Sequence, residues 1–298
     1  MNLFILGNGF DLGHDMSTRY IDFRNYLRIE ESSFLYDFER AYYIGIPELW
    51  ANLEGELANI QDDVLFESMF QETDLGLESG NTGIVDTLTY HFRSQFNYIE
   101  NLTEYLKSWI KGINTNIEDY SVKTSSISPN NNDLFINFNY TTTLEDLYGI
   151  AEEQIIHIHG CVNSYEDLVL GHSNIDRVKY FTNLCTEMEN KFNEQSSPIY
   201  DALANYCDKT FKDVSLYIDD LYKFDYSSVN RINVIGHSLG DVDIPYFSRI
   251  NELTTIDTEW YIYYFNVEEI TAMSSQLNTI GVTNNSIKFI DVNTFYDL

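Results

Sequence analysis

Cysteine is scarce in this sequence, and the cysteines present form no recognisable pattern. The three cysteines, Cys161, Cys185 and Cys207, are odd in number and widely spaced, and no C-x-x-C pair occurs. A disulfide framework or a structural zinc site is recognised in a sequence by paired or closely spaced cysteines. The sequence therefore indicates neither.

Positive charge is also scarce. The chain has 17 Lys and Arg residues against 47 Asp and Glu residues, which gives a formal net charge of −30. The acidic residues are spread along the chain, and no Lys/Arg cluster is present to neutralise phosphate groups. We therefore expect no direct binding of nucleic acid or of an anionic membrane. A bound nucleotide would have to be held by backbone N–H groups and by Asn, Ser and Thr side chains.

Long hydrophobic runs are missing as well. The first apolar run spans Leu3 to Leu6 and stops at Gly7, and the later runs are far shorter than a membrane span. A signal peptide would need a basic segment and a longer apolar stretch. We therefore expect a cytoplasmic protein. With 298 residues, of which 44% are hydrophobic, the chain is long enough for one globular domain with a large core.

The opening stretch carries the strongest local signal. A short apolar run, Leu3 to Leu6, leads into Gly7-Asn8-Gly9, and a helix-like pattern begins soon afterwards. A buried strand, a glycine-rich turn and a helix are typical of a phosphate or nucleotide site in an α/β fold. The match to G-x-G-x-x-G is partial, because Leu12 stands where the third glycine would be. The alternative is a strand-to-helix turn that simply needs small residues.

Hydrophobic periodicity predicts the rest of the architecture. Helical spacing dominates residues 15–120, which we interpret as a largely helical insertion or subdomain, with a loop at 73–83 and a long helical pattern over 84–117. The later helical patterns are at 176–226 and 267–279. The predicted strands after the first are at 133–140, 155–160, 168–172, 230–236, 259–265 and 286–290. This alternation predicts an α/β fold in a single domain over 1–298, with a Rossmann-like, mostly parallel sheet flanked by helices.

Polar residues stand where two of these strands end. Asn139 closes the strand at 133–140, at the sheet edge where open α/β folds bind ligands, although an Asn there could also satisfy turn backbone groups. In the strand at 155–160, alternation is expected to place His157 and His159 on one side. No nearby Cys or carboxylate completes a metal set of recognisable spacing, so no metal is expected. His159 is a candidate general base, and His172 is a weaker candidate for the same site.

The segment Gly236-His-Ser-Leu-Gly240 matches the G-x-S-x-G nucleophile elbow of α/β-hydrolases. That fold needs the chain order Ser, then Asp or Glu, then His. No histidine follows Ser238, because His237 is the last of the six in the chain. The order of residues therefore argues against a serine hydrolase.

The opening Gly-Asn-Gly-Phe-Asp-Leu, followed by Ser17-Thr-Arg-Tyr-Ile-Asp-Phe23, resembles the abortive-infection AbiH family of bacterial phage-defence proteins. The resemblance runs nearly end to end and includes Phe138 to Thr141, Ile158 to Gly160, and Gly236 to Leu239 with Asp241 and Asp243. The same elements resemble, more distantly, the sirtuin-like NAD-binding fold. There a Gly-Ala-Gly turn meets the pyrophosphate, an Asn orients the nicotinamide ribose and a His-Gly supplies the base.

The resemblance to the sirtuin-like fold implies roles for individual residues. Gly7 and Gly9 would hold phosphate, Asn139 would face the ribose and nicotinamide, His159 would act as the base, and Ser238 would face the adenosine. The predicted catalytic residues are Asn139 and His159. The predicted nucleotide-binding residues are Gly7, Asn8, Gly9, Phe10, Asp11, Gly236, His237, Ser238 and Asp241, and the place of His172 and Asp243 stays open.

The sequence departs from the sirtuin-like pattern at three points. Asn8 replaces the alanine of the Gly-Ala-Gly turn, Thr141 stands where NAD hydrolases of this kind usually have Asp, and the zinc cysteines are absent. The missing zinc module argues against protein deacylation.

The resemblance therefore implies a phage-defence enzyme that hydrolyses NAD at the nicotinamide–ribose bond. Two alternatives stay open. One is a nucleotide-sensing module without turnover. The other is a metal-assisted hydrolase or nuclease that uses His159, His172 and Asp241 or Asp243 together with a partner. This interpretation allows three kinds of interaction: binding of a dinucleotide or nucleotide ligand, assembly into a homo-oligomer, and binding of a partner defence protein.

Overall fold

The computed structural model describes residues 1–77, 88–93, 100–165 and 167–297. The chain divides into two compact units. The first consists of Met1–Arg19, Lys107–Val169 and Asp213–Leu298, and the second of Tyr20–Leu106 and Leu170–Lys212.

The first unit contains a parallel sheet of six strands. The strands are β1 (Asn2–Leu6), β2 (Leu134–Asn137), β3 (Ile155–His157), β4 (Arg231–Ile235), β5 (Glu259–Tyr264) and β6 (Ile287–Asp291). Their order is β3-β2-β1-β4-β5-β6, and every neighbouring pair is parallel. The prediction of an α/β fold with a Rossmann-like parallel sheet flanked by helices is confirmed.

The central strand β1 shows why the sheet is layered between helices. Leu3 and Ile5 belong to the core on one face of the sheet, whereas Phe4 and Leu6 belong to the core on the other. A strand that is buried on both faces has a continuous apolar sequence, which is the pattern of a parallel sheet. The first unit also contains helices α1 (Asn8–Gly13), α11 (Ile244–Leu253) and α12 (Ile270–Thr279) and a single π-helical turn at Thr143–Leu147.

The second unit is helical. Its helices are α2 (Tyr20–Glu30), α3 (Ser32–Arg40), α4 (Ile46–Ala51), α5 (Leu53–Glu56), α6 (Asp62–Leu77), α7 (88–93), α9 (Ile175–Asn190) and α10 (Ser197–Lys209), while α8 (Glu100–Asn114) crosses the boundary between the units. Buried aromatic residues, among them Phe23, Phe38 and Trp50, form its core. The Glu39 carboxylate joins three of these helices, because it accepts bonds from Arg24 Nε at 2.6 Å and Trp50 Nε1 at 2.8 Å. No described helix is long and apolar enough to cross a membrane.

Several element predictions need correction. The strand predicted at 155–160 ends at His157, and the strand predicted at 168–172 is only an isolated bridge between His172 and Phe211. Helix α6 continues through Leu77, so the loop predicted at 73–83 is wrong for residues 73–77, and its remainder lies outside the described residues. Of the helix predicted at 84–117, residues 88–93 and 100–114 are helical, and residues 84–87 and 94–99 are not described.

Candidate functional site

The strand order creates a switch point in the sheet between β1 and β4. From β1 the chain continues to β2 and β3 on one side, and then returns to β4, β5 and β6 on the other. Because all strands are parallel, their carboxyl ends lie along one edge. Open α/β sheets bind ligands at this edge, in the crevice at the switch point.

Two loops meet at this switch point. The amide of Gly7 donates to Ile235 O at 3.0 Å, and the amide of Gly9 donates to Gly236 O at 2.8 Å. A Cβ on Gly9 would lie 2.5 Å from Gly236 Cα, and a Cβ on Gly236 would lie 2.3 Å from Phe10 N. Gly236 also has a φ of +68°, a conformation that favours glycine. The glycines therefore allow the two backbone segments to pack against each other. This packing explains why glycine stands at these positions without any bound ligand.

The amides of this turn are largely used within the protein. In addition to Gly7 and Gly9, Phe10 donates its N–H to Gly7 O at 2.8 Å. Asn8 holds the turn from its side chain, which donates to Thr18 O at 3.0 Å. Three of the four backbone amides of residues 7–10 therefore already donate to protein carbonyls. A phosphate could accept from these three only if their present hydrogen bonds were broken.

A cavity of about 520 Å³ lies beside these loops, which is within the usual size range of small-molecule sites. Four predicted residues line it: Gly9, Gly236, His237 and Ser238. The remainder of the lining comes from residues that the sequence analysis did not single out, among them Arg19, Tyr263, Phe265, Glu269, Ala272, Met273 and Tyr296. Tyr263 and Phe265 lie at the carboxyl end of β5. Their position at the end of a predicted strand could have identified them as site residues from the sequence.

Tyr296 contributes one wall of the cavity. Its hydroxyl group donates to Gly9 O at 3.3 Å and lies 3.4 Å from Phe10 O, and a Cβ on Gly13 would lie 2.2 Å from its ring. Burial raises the pKa of the Tyr296 hydroxyl, so it stays protonated and can donate at neutral pH. The end of the chain is thus packed against the turn after β1.

The carboxylate of Asp243 lies between two imidazoles. Its Oδ1 is 3.3 Å from His159 Nε2, and its Oδ2 is 3.4 Å from His237 Nε2. The Leu239 amide donates to His237 Nδ1 at 2.9 Å, so neutral His237 carries its proton on Nε2, towards Asp243. Both imidazoles pack edge-on to the Phe138 ring, with centroid distances of 5.1 Å for His159 and 4.5 Å for His237.

This arrangement fixes the orientation of both histidines and places a negative charge between them. A carboxylate in this position stabilises a positive charge on either ring, which is what a base needs after it has accepted a proton. His237 belongs both to this group and to the cavity lining. Within the described part of the chain, neither His159 nor Asn139 lines the cavity.

Asn139 is buried beside the turn after β1. Its side-chain amide donates to Gly7 O at 3.0 Å, and its backbone N–H donates to Asn137 Oδ1 at 3.1 Å. The side chain therefore links the end of β2 to the end of β1.

Asp11 is fully buried on α1 and accepts two hydrogen bonds. Thr141 Oγ1 donates to one carboxylate oxygen at 2.7 Å, and Thr143 Oγ1 donates to the other at 2.8 Å. Burial raises the pKa of Asp11 to about 6, although the two threonine bonds act in the opposite direction. Thr141 is thus bonded to an Asp from another element.

Ser238 and Asp241 lie at the surface. Ser238 is exposed, and the positive φ angles of its segment belong to Gly236 and Leu239, at +68° and +56°. A nucleophile elbow would place the strain at the serine itself. Asp241 accepts a hydrogen bond from the Gln276 side chain on α12. The geometry therefore gives no support to a serine hydrolase.

His157 and His159 have different surroundings, contrary to the prediction that they share one side of a strand. Since β3 ends at His157, the strand alternation does not reach His159. His157 Nε2 lies 2.7 Å from Glu145 Oε1. Glu145, His157 and Cys161 each place a ligand atom within 4.8 Å of the other two. The sequence spacing of these three residues forms no recognisable metal set, but the fold brings Glu145 and Cys161 close to His157.

His172 belongs to the second unit. Its Nδ1 accepts from the Asn174 amide at 3.1 Å, and its Nε2 lies 3.1 Å from Cys207 O. Burial lowers the pKa of His172 to about 4, so the ring is neutral at physiological pH. Both nitrogens are therefore used in local backbone bonds.

Comparison with known proteins identifies the family. The family model of bacteriophage abortive infection AbiH matches residues 3–264, which include every predicted site residue. No curated protein and no solved structure gives a match. The family is associated with abortive infection, a bacterial defence against phage. The matched region spans most of the chain, and the protein therefore belongs to the AbiH family.

Proposed function

We propose that this AbiH protein binds NAD in the cavity at the switch point of its sheet and hydrolyses the nicotinamide–ribose bond. The observation that carries the proposal is the position of the cavity. It lies beside the turns after β1 and β4 in a sheet of order β3-β2-β1-β4-β5-β6. This strand order and this crevice are those of dinucleotide-binding α/β folds.

The lining has the chemistry that a dinucleotide needs. Tyr263, Phe265 and Tyr296 provide aromatic surfaces for a base, and Arg19 provides a cation for a phosphate. The glycine backbone at Gly9 and Gly236 allows close approach. A local cation matters in this protein, because its net charge of −30 disfavours anionic ligands elsewhere on its surface.

In the proposed reaction, a water molecule attacks C1′ of the ribose as the bond from C1′ to the nicotinamide nitrogen breaks. Nicotinamide leaves as a neutral molecule with the electron pair of that bond, and His159 accepts the proton of the water. Asp243 stabilises the protonated His159, and Asn139 holds the turn after β1 in position. The demand on the protein is modest, because the leaving group is good and a positioned base contributes about 10²–10⁴-fold.

His237 belongs both to the cavity lining and to the histidine pair, so it is the proposed link between the bound substrate and His159. The proposed role in defence follows from the chemistry. Depletion of NAD during infection would arrest the host cell before the phage completes its cycle.

A binding module without turnover is the second candidate. It is favoured by one observation, namely that His159 and Asn139 do not line the cavity within the described residues. Such a module would bind NAD and pass the signal to a partner defence protein or to another copy of the chain.

The first experiment is a chromatographic assay of NAD with the purified protein and two tryptophan variants. Ala272 is exposed on α12 and lines the cavity, so Ala272→Trp should fill it. Thr271 is its exposed neighbour on the same helix, and Thr271→Trp is the matched control. Release of nicotinamide by the parent and by Thr271→Trp, but not by Ala272→Trp or His159→Ala, would support hydrolysis in this cavity.

Thermal stabilisation separates the two candidates. If NAD raises the Tm of the parent and of Thr271→Trp, but not of Ala272→Trp, and no nicotinamide is released, the binding module is the better description. If NAD is neither cleaved nor stabilising, the proposal for this cavity is wrong.

A further inference from the structure

A second cluster of chemically active side chains lies in the first unit, at Glu145, His157 and Cys161. Glu145 is on the π-helical turn, His157 is the last residue of β3, and Cys161 follows Gly160, whose φ is +82°. One ligand atom from each of the three lies within 4.8 Å of the others. Three different elements therefore bring a carboxylate, an imidazole and a thiol to one point.

Only one of the two oxygens of the Glu145 carboxylate has a hydrogen-bond partner in the described part of the chain. Glu145 Oε1 lies 2.7 Å from His157 Nε2, while Oε2 is buried and no donor in the described residues reaches it. Buried polar atoms normally have a partner, and those without a protein partner are candidates for a bond to water or to an ion. The orphaned oxygen belongs to the residue that faces the imidazole.

The imidazole is held as a metal-ligating histidine usually is. His157 Nδ1 lies 3.4 Å from Asn139 O, a carbonyl that can accept its proton. Ligating histidines commonly donate their second ring N–H to a backbone carbonyl, and this fixes the tautomer that leaves the other nitrogen to bind the metal. For His157 this other nitrogen is Nε2, which points to Glu145.

We propose that Glu145, His157 and Cys161 bind a zinc ion, with an open fourth position for water. Thiolate, imidazole and carboxylate are the three side-chain ligand types of protein zinc sites, and thiolate excludes magnesium and calcium. In a tetrahedral zinc site the ligand atoms are about 3.3–3.6 Å apart. The Glu145–His157 separation of 2.7 Å is shorter than this range, and the Cys161 sulfur lies within 4.8 Å of both ligand atoms, so the side chains would have to adjust around the metal.

Metal binding requires a defined proton balance. The Cys161 thiol loses its proton as the metal–sulfur bond forms, and the His157 proton moves from Nε2 to Nδ1, where Asn139 O accepts it. One proton is thus released to the solvent for each metal ion that binds.

None of the three residues lines the cavity at the switch point, so metal binding can be tested without NAD. Three protein ligands with an open position are typical of catalytic zinc sites rather than structural ones. The chemical class of ligand that would complete the site is a water or a single oxygen donor.

Cobalt(II) provides the test, because a thiolate ligand gives it a charge-transfer absorption that oxygen and nitrogen ligands do not. The reduced parent protein is titrated with cobalt and then with zinc, and the absorption is compared with Cys161→Ser and Cys185→Ser. Cys185 is a partly buried cysteine of the second unit and serves as the control. Circular dichroism verifies that each variant is folded.

We expect one cobalt per chain with the thiolate band, its loss on addition of zinc, and its absence in Cys161→Ser but not in Cys185→Ser. Glu145→Gln should keep the band and weaken binding at least about tenfold, because it retains the sulfur ligand but loses the carboxylate. A parent without the band, a band that persists in Cys161→Ser, or a band lost in Cys185→Ser would overturn the proposal. The melting temperature provides a second readout. Zinc should raise the Tm of the parent and of Cys185→Ser, but not the Tm of Cys161→Ser.

Discussion

The side-chain amide of Asn139 donates a hydrogen bond of 3.0 Å to the main-chain carbonyl of Gly7. Together with the bond from the Phe138 amide to Leu6 O, it connects the carboxyl ends of the paired strands β2 and β1. It also places Asn139 in a position where a change of side chain alters the turn beside the cavity. Asn139 therefore acts on the site through Gly7, whether or not it also touches a ligand.

Replacement of Asn139 by Ala should lower the free energy of unfolding by about 1–2 kcal/mol, since a buried hydrogen bond is lost. The cost is moderate because Gly7 O keeps its bond from the Phe10 amide. Chemical denaturation measures the change, and Asn130→Ala, at an exposed loop position, is the control with an expected change within about 0.5 kcal/mol. Equal stability of the two variants would show that the bond to Gly7 contributes nothing.

Gly236 and Gly149 form a matched pair of substitutions. Both have a φ of +68°, but a Cβ on Gly236 would lie 2.3 Å from Phe10 N, whereas a Cβ on Gly149 would meet nothing within 4 Å. Gly149→Ala should therefore cost only the backbone strain of about 1–2 kcal/mol. Gly236→Ala should cost about 1–3 kcal/mol more, because two backbones must separate.

Thermal or chemical unfolding of both variants measures this difference. Gly236→Ala should also lose the stabilisation by NAD if the ligand sits beside the turn, while Gly149→Ala should keep it. If the two variants have the same stability, the close packing of the two glycine turns does not hold the loops together.

The sequence predicts the sheet well because the strands themselves carry the signal. Leu3 to Leu6 is apolar at every position, as expected for a central strand buried on both faces. In β4 the residues Ile232, Val234 and Ile235 are also apolar and buried, with Asn233 between them. Polar residues at the ends of such strands are then expected at one edge. In the structure, Gly9, Gly236 and His237 line the cavity at this edge.

The rest of the site depends on contacts that no local pattern records. Tyr263 and Tyr296 line the cavity, yet in the sequence they are aromatic residues of the kind expected in a core. Glu145 meets His157 only because a π-helical turn follows β2 and because β3 pairs with β2 in a particular register. Asp243 joins His159 to His237 across the end of the sheet.

The buried carboxyl group of Asp11 makes stability depend on pH. Its pKa rises from 3.8 to about 6 on folding, so the folded state binds the proton more tightly than the unfolded state does. The contribution of Asp11 to stability is therefore present below pH 4 and is lost as the pH rises through about 6. Asp11→Asn keeps the size of the side chain but removes this titration.

We expect the free energy of unfolding of Asp11→Asn, relative to the parent, to increase between about pH 4 and pH 6 and to be constant above about pH 7, with a total change of roughly 3 kcal/mol. Urea denaturation at a series of pH values measures it. Asp257→Asn, at an exposed position of the same unit, is the control and should give a flat difference. A flat difference for Asp11→Asn as well would mean that its carboxyl is not shifted by burial.

His172 should produce the opposite dependence on pH in the second unit. Its pKa falls from 6.5 to about 4 on folding, so the unfolded state binds the proton more tightly. The contribution of neutral His172 is present above about pH 6.5 and is lost as the pH falls through about 4. The physical reason is the burial of the ring, which disfavours the charged imidazolium and outweighs the bond to the Cys207 carbonyl.

The variant His172→Gln removes this titration, and its free energy of unfolding should vary less between about pH 6.5 and pH 4 than that of the parent. His91→Gln, at an exposed position on α7 in the same unit, is the control and should follow the parent curve. Hydrogen exchange of the amides in α10, measured at both pH values, assigns the effect to the second unit, because His172 Nε2 bonds to Cys207 O in that helix. If the parent and His172→Gln lose stability in parallel as the pH falls, the neutral imidazole is not what the fold requires at this position.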